Sequence, residues 1–127
     1  MARILIAEDE ESVRSLIARA LSQDGHEVMT ANDGAEALDV LTRERGSFEL
    51  LVTDIRMPVM DGIALALAAA RDHPRLAILL MTGYADQRER ASGLDPLIHD
   101  VITKPFSLAT IRGAVNEALT VGAQRMH

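Results

Sequence analysis

The chain has 127 residues, 48% of them apolar and 25% charged, with a net charge of −6 and no cysteine. That length supports one domain with one core; the acidic balance speaks against nucleic acid, which needs a basic face, and the missing cysteines exclude disulfides and thiolate metal sites. The apolar start, Met1 to Ala7, runs straight into Glu8-Asp9-Glu10-Glu11, so no signal peptide and no membrane contact are expected, and the protein is expected to be cytoplasmic.

The first apolar run, Ile4-Leu5-Ile6-Ala7, is too short for a helix and suits a strand buried on both faces. Val13, Leu16, Ile17, Ala20 and Leu21 then recur on one helix face, and Gly25 is the stop signal. A weaker strand at 27–31 is followed by a helix that Asn32-Asp33 opens and Ala35, Leu38 and Leu41 mark. Leu50-Leu51-Val52 is the third strand. Asp61-Gly62 then opens an Ala-rich helix from Ile63 to Ala70, which ends before Pro74. Ile78 to Met81 forms the fourth strand. The segment Ala85 to Pro96 carries an Asp-Gln-Arg-Glu-Arg run without an apolar face, and Gly93 and Pro96 interrupt it, so a short, loosely held helix is expected there. A weak fifth strand at 100–103 leads to an amphipathic helix through Leu108, Ile111, Val115, Ala118 and Leu119, with Ser107 as its N-cap.

Strands alternating with helices imply an α/β, doubly wound parallel sheet with helices on both faces, and right-handed crossovers favour the five-stranded order 2-1-3-4-5. One domain is expected over 1–121, with 122–127 a short tail and no output domain. The only aromatics are Phe48, Tyr84 and Phe106, so the core must be aliphatic. The four histidines show no ligand spacing and are expected as solvated or capping residues; the six methionines read as core filler.

In such a sheet, functional groups gather beyond the carboxyl ends of the strands. Glu8-Asp9 follow the first strand, Asp54 the third, Thr82 the fourth and Lys104 the fifth, and these strands are neighbours in the expected order. Two carboxylates ~4 Å apart repel by roughly 4 kcal/mol at an effective dielectric of about 20, so a cation or a proton must sit among them. A hard divalent ion held by carboxylate and carbonyl oxygens matches Mg²⁺, with Mn²⁺ as a substitute, and Lys104 supplies a fixed positive charge. Acceptor carboxylate, metal, hydroxyl and lysine together make up the apparatus of phosphoryl transfer to an aspartate. Asp61 is expected to cap its helix, outside the site.

Four ordered motifs make the match to a family specific: Ala7-Glu8-Asp9-Glu10; Thr53-Asp54-Ile55-Arg56-Met57-Pro58 with Met60-Asp61-Gly62; Met81-Thr82-Gly83; and Lys104-Pro105-Phe106. Over essentially its whole length the chain resembles the receiver domain of bacterial two-component response regulators. The resemblance implies a flavodoxin-like (βα)5 fold and a signalling domain that is no enzyme beyond its own phosphorylation and dephosphorylation. It implies Asp54 as phosphoacceptor, Asp9 as a direct Mg²⁺ ligand, Glu8 acting through water, and Arg56 offering its backbone carbonyl. Thr82 and Lys104 would bind the phosphoryl group, and the Lys104–Pro105 bond would be cis. The implied donor is a phosphohistidine on a histidine kinase or histidine phosphotransfer protein docking at the first helix. The output would be an unknown protein on the face formed by the helix after the fourth strand, the fifth strand and the last helix. Among stand-alone receivers the sequence is similar to CpdR-like regulators, which govern substrate delivery to the ClpXP protease and would imply a protease-adaptor role.

Three positions matter against the family pattern. Val101 stands where many receivers carry a switching aromatic, which moves the expected coupling onto Thr82 and the weak helix after the fourth strand. In the family, the positions two past the phosphoacceptor and two past the threonine flank the water that hydrolyses the phosphoaspartate; here they are Arg56 and Tyr84, whose bulk is expected to slow self-dephosphorylation. Three alternatives stand beside this reading. An Mg²⁺-dependent aspartyl phosphatase would want a second Asp at position 56. A flavodoxin-like cofactor binder would be repelled by the acidic first loop. A docking module could also work without phosphorylation.

Overall fold

The computed structural model describes residues 2–45, 47–83, 91, 93 and 97–125, with the side chains of 122–125 left aside. Five parallel strands, β1 (Arg3–Ala7), β2 (Glu27–Ala31), β3 (Leu50–Asp54), β4 (Ala77–Thr82) and β5 (Asp100–Thr103), form one sheet in the order β2-β1-β3-β4-β5. Four helices are described: α1 (Glu11–Gln23), α2 (Gly34–Arg43), α3 (Gly62–Asp72) and α4 (Leu108–Arg125). The short helix expected between β4 and β5 lies, apart from Ala91 and Gly93, outside the described residues.

Alternation along the strands sends successive side chains to opposite faces. Leu5, Leu51, Ile78 and Leu80 point toward α2 and α3, whereas Ile4, Ile6, Val52, Leu79 and Met81 pack with Ile17 and Leu21 of α1 and with Ile111 and Val115 of α4. The central strands are buried on both faces, and each fully buried Leu or Ile contributes ~1.5–3 kcal/mol of transfer free energy. The edge strands β2 and β5 keep exposed positions, which is why their apolar signal is the weaker one. Phe48, one of the three aromatics, is buried under the sheet edge with the Arg3 guanidinium 4.6 Å from its ring centre.

The helix boundaries follow local chemistry. Asp33 accepts from the Glu36 amide at 2.8 Å and Asp61 from the Ala64 amide at 2.9 Å, each occupying one of the amides that a first turn leaves open. Ser107 does the same for the Thr110 amide at 3.1 Å. Past α1 the chain turns at Gly25, whose φ of +92° suits a residue without a Cβ. One expected core position fails: Leu16 is 52% exposed. The buried stripe of α1 runs through Ile17, Ala20 and Leu21, and Leu16 lies one residue, hence about 100°, off that stripe. Of the histidines, His73 ends α3 as expected, but the His99 side chain is only 12% exposed and lies 3.6 Å from Glu117 of α4. Its site at the start of β5 faces α4, so packing shields it.

The loop from Ile55 to Asp61, between β3 and α3, is tightly folded. The Met60 amide donates to the Pro58 carbonyl at 2.8 Å around Val59, whose φ is +70°. This is a γ-turn of the strained, positive-φ kind. Val59 is 84% exposed and gains little from packing, yet it is β-branched in a backbone region that disfavours Cβ atoms. Val59→Asn should therefore stabilise the protein by about 1 kcal/mol, because asparagine tolerates this region. Urea unfolding checks the value; a lower midpoint would show that contacts of the valine side chain outweigh the backbone strain.

Candidate functional site

Parallel register brings four strand ends to one rim. Ala7 pairs with Thr53, Asp54 with Met81, and Thr82 with Thr103. The hydrogen bonding continues past the strands: the Ile55 amide donates to the Met81 carbonyl at 3.0 Å and the Lys104 amide to the Thr82 carbonyl at 2.7 Å. Glu8, Asp54, Thr82 and Lys104 are thereby fixed by backbone geometry, although they come from stretches up to 96 residues apart.

Glu8, Asp9 and Asp54 each place a carboxylate oxygen within 4.8 Å of the others. Glu8 is fully buried and Asp54 is 7% exposed, whereas Asp9 is open to solvent. The Lys104 ammonium spans the pair, donating to Glu8 Oε1 at 2.7 Å and to Asp54 Oδ2 at 3.2 Å. The second Glu8 oxygen accepts from the Glu10 amide at 3.2 Å, and the Glu8 carbonyl accepts from Arg14 at 2.9 Å. Burial pushes the Glu8 carboxyl up to about 7; the hydrogen bond from Lys104 opposes this, and the negative charge of Asp54 adds to it. Burial works to lower the Lys104 ammonium, but the Glu8 hydrogen bond and the two carboxylate charges outweigh it and hold the lysine above its ordinary value. Lys104 is therefore a fixed cation, and Glu8 is the carboxylate that most needs one.

A cleft of about 420 Å³ opens over this group, lined by Asp9, Glu10, Asp54, Arg56, Gly83 and Lys104. Its lining is polar, and three oxygen donors at close range fit a small hard divalent ion that retains water. Nothing in the donor set is soft. Thr82 closes β4 with 1% exposure. Gly83 lines the cleft beside the lysine, and a Cβ there would make only ordinary contact, 3.9 Å from Lys104 Cβ. The Lys104–Pro105 peptide bond is cis.

The structure thus brings together the acidic pair after β1, Asp54, Arg56, Thr82 and Lys104. Asp61 caps α3 outside the group. Tyr84 lies outside the described residues. Sequence reasoning missed two supports. Glu10 lines the cleft and anchors Glu8 by its amide, a role no residue type signals. Gly62 sits directly on the acceptor: a Cβ there would fall 2.0 Å from the Asp54 carbonyl oxygen, and its amide donates to the Ile55 carbonyl at 2.7 Å. The Asp61-Gly62 pair announces a turn in the sequence, but this contact is visible only in three dimensions.

No described helix is long and apolar enough to cross a membrane. The chain is 41% identical over 117 residues to the response regulator receiver protein CpdR of Brucella abortus, a match covering 92% of this chain and 93% of that protein. Its match to the response regulator MprA of Mycobacterium leprae, 36% identical over 117 residues and 92% of this chain, spans about half the length of that relative. Among solved structures, a receiver domain protein from Clostridium thermocellum superposes with a TM-score of 0.89 at 26% identity, over 98% of both chains. The response regulator TrrA of Thermotoga maritima, solved with Mg²⁺ and BeF, superposes with a TM-score of 0.81 at 29% identity, over 93% of this chain and 99% of that one. The family model of the response regulator receiver domain matches residues 4–116, the sheet order and the acidic rim agree with it, and the chain belongs to that family: it is a receiver domain, a signalling domain rather than an ordinary enzyme.

Proposed function

We propose that this receiver domain accepts a phosphoryl group on Asp54 from a phosphohistidine donor, with Mg²⁺ among Glu8, Asp9 and Asp54, and thereby changes a protein-binding face. The observation that carries the reading is the convergence of those three carboxylates within 4.8 Å with the Lys104 ammonium seated between two of them. The Mg²⁺–BeF complex of TrrA, on the same fold, supports it.

In this reading an Asp54 carboxylate oxygen attacks the phosphorus. The P–N bond to the donor imidazole breaks and its electron pair returns to the ring nitrogen. Asp9 and Asp54 would hold the ion directly, Glu8 would reach it through water, and Arg56 would add its backbone carbonyl. The ion supplies charge neutralisation on the phosphoryl oxygens. Lys104, already within 3.2 Å of Asp54, pairs with a phosphoryl oxygen once the carboxylate has become an acyl phosphate, and the Thr82 hydroxyl donates to another. Phosphorylation adds up to two negative charges, and Thr82 and Lys104, which end β4 and precede the cis-Pro105, carry the change to the loops behind them. Residue 101 is a valine, partly buried against the core on the α2–α3 side, so no rotating aromatic is available at that position. The face that responds is the segment after β4, together with β5 and α4, and its partner is a protein. The resemblance to CpdR offers a protease-adaptor output as the first candidate to test. The unit that does this is residues 1–121.

Mass spectrometry after incubation with acetyl phosphate and Mg²⁺ tests the assignment. Wild type should gain ~80 Da, the mass of a phosphoryl group, whereas Asp54→Asn and EDTA-treated wild type should gain nothing. An adduct of equal yield on Asp54→Asn would remove Asp54 from the role.

Arg56 is exposed at the cleft, and with Tyr84 it is proposed to crowd the hydrolytic water. Replacing both by alanine should shorten the phosphoryl half-life about tenfold, the size of a ~1.4 kcal/mol fall in barrier. An unchanged decay rate of the labelled species would refute the crowding idea and leave Asp54 as acceptor.

A further inference from the structure

The γ-turn loop carrying Arg56 is gripped at both ends by residues without side chains. At its base Gly62 rests on the Asp54 carbonyl. At its crown, Gly34 of α2 meets it: a Cβ on Gly34 would lie 2.2 Å from the Met60 carbonyl oxygen and 2.9 Å from the carbonyl carbon. That distance is impossible without moving the backbone of one partner, because neither atom belongs to a flexible side chain. The helix end doing the pressing is itself rigid. Asp33 accepts from the Glu36 amide at 2.8 Å, and Glu36 reaches back to the Asn32 amide at 3.3 Å, a reciprocal arrangement close to a capping box. The loop being pressed is strained, with Val59 at φ +70° and almost fully exposed. An exposed valine has no packing of its own to hold that conformation, so a neighbour must hold it.

We propose that Gly34 is a positioning residue for the cation site: by lacking a side chain it lets the capped end of α2 bear on the Met60 carbonyl and hold the 55–61 loop, with Arg56, at the acidic cleft. Gly34 does not itself line the cleft. It acts through the loop, as outer-shell partners act on ligands elsewhere. The inference rests on the reading of Glu8, Asp9 and Asp54 as a divalent-cation site.

The test is calorimetric titration of the full chain with MgCl₂, well below the melting temperature. Gly34→Ala should bind about tenfold more weakly than wild type, the low end of losses seen when a ligand's support is removed. Thr42→Gly, at an exposed position of the same helix, loosens α2 without touching the loop and should bind like wild type. Should Gly34→Ala not fold, the comparison is made between Val59→Asn and Gly34→Ala/Val59→Asn, where the stabilised turn restores folding; the double variant should again be about tenfold weaker. Equal affinity of Gly34→Ala and wild type, or an equal loss in Thr42→Gly, overturns the inference and leaves the cation site standing. No heat of binding in wild type overturns both.

Discussion

A lysine ammonium lodged between two buried carboxylates is the constraint on which the rest of this molecule depends. Lys104 reaches Glu8 at 2.7 Å and Asp54 at 3.2 Å across 96 and 50 residues of sequence. A fully buried glutamate beside a nearly buried aspartate is costly unless paired. The pairing is feasible only because a parallel sheet lays the ends of β1, β3, β4 and β5 side by side. The doubly wound fold and the acidic rim are therefore one design: the strands that build the core also set the spacing of the charges. The lysine leaves part of the negative charge unmet, since its bonds go to Glu8 and Asp54 whereas Asp9 faces the cleft, open to solvent. That remainder is what a divalent ion would neutralise.

The loop after β3 shows how the fold keeps such a site in shape. It turns sharply over seven residues, spends conformational strain at Val59, and is pinned by two glycines whose missing Cβ atoms allow backbone to meet backbone. Hydrogen bonds accepted by the helix caps Asp33 and Asp61 stiffen the elements on either side. Precision at the rim thus comes from short backbone contacts rather than from large side chains, in keeping with a chain whose aromatics amount to 2%.

Much of this is legible in the amino-acid order. The apolar runs at 4–7, 50–52 and 78–81 mark the central strands because strands buried on both faces need unbroken hydrophobicity. The caps Asp33, Asp61 and Ser107 announce their helices. The acidic and basic residues just past those runs could be assigned to one rim once the strand order was inferred. Strand ends were less legible: Thr53, Asp54 and Thr82 stay in the sheet although they are polar, since their job is at its edge. Leu16 fits the helical period yet is exposed, because the period fixes a stripe and not its width. The contact of Gly34 with Met60 carries no signal in one dimension; it joins two loops that only tertiary packing brings together. The bond from Lys104 to Glu8 is equally silent there, where the lysine reads only as a partner for the acceptor side.

Thermal melting of wild type and Lys104→Met, each with and without saturating Mg²⁺, tests the central claim most directly. If cations are what make the buried carboxylates tolerable, the variant without Mg²⁺ should be less stable by about 2 kcal/mol, a fraction of the cost of stripping a partner from a fully buried charge. Mg²⁺ should then recover most of that deficit by binding the folded state. Equal melting temperatures without Mg²⁺, or a deficit that Mg²⁺ does not narrow, would contradict the account.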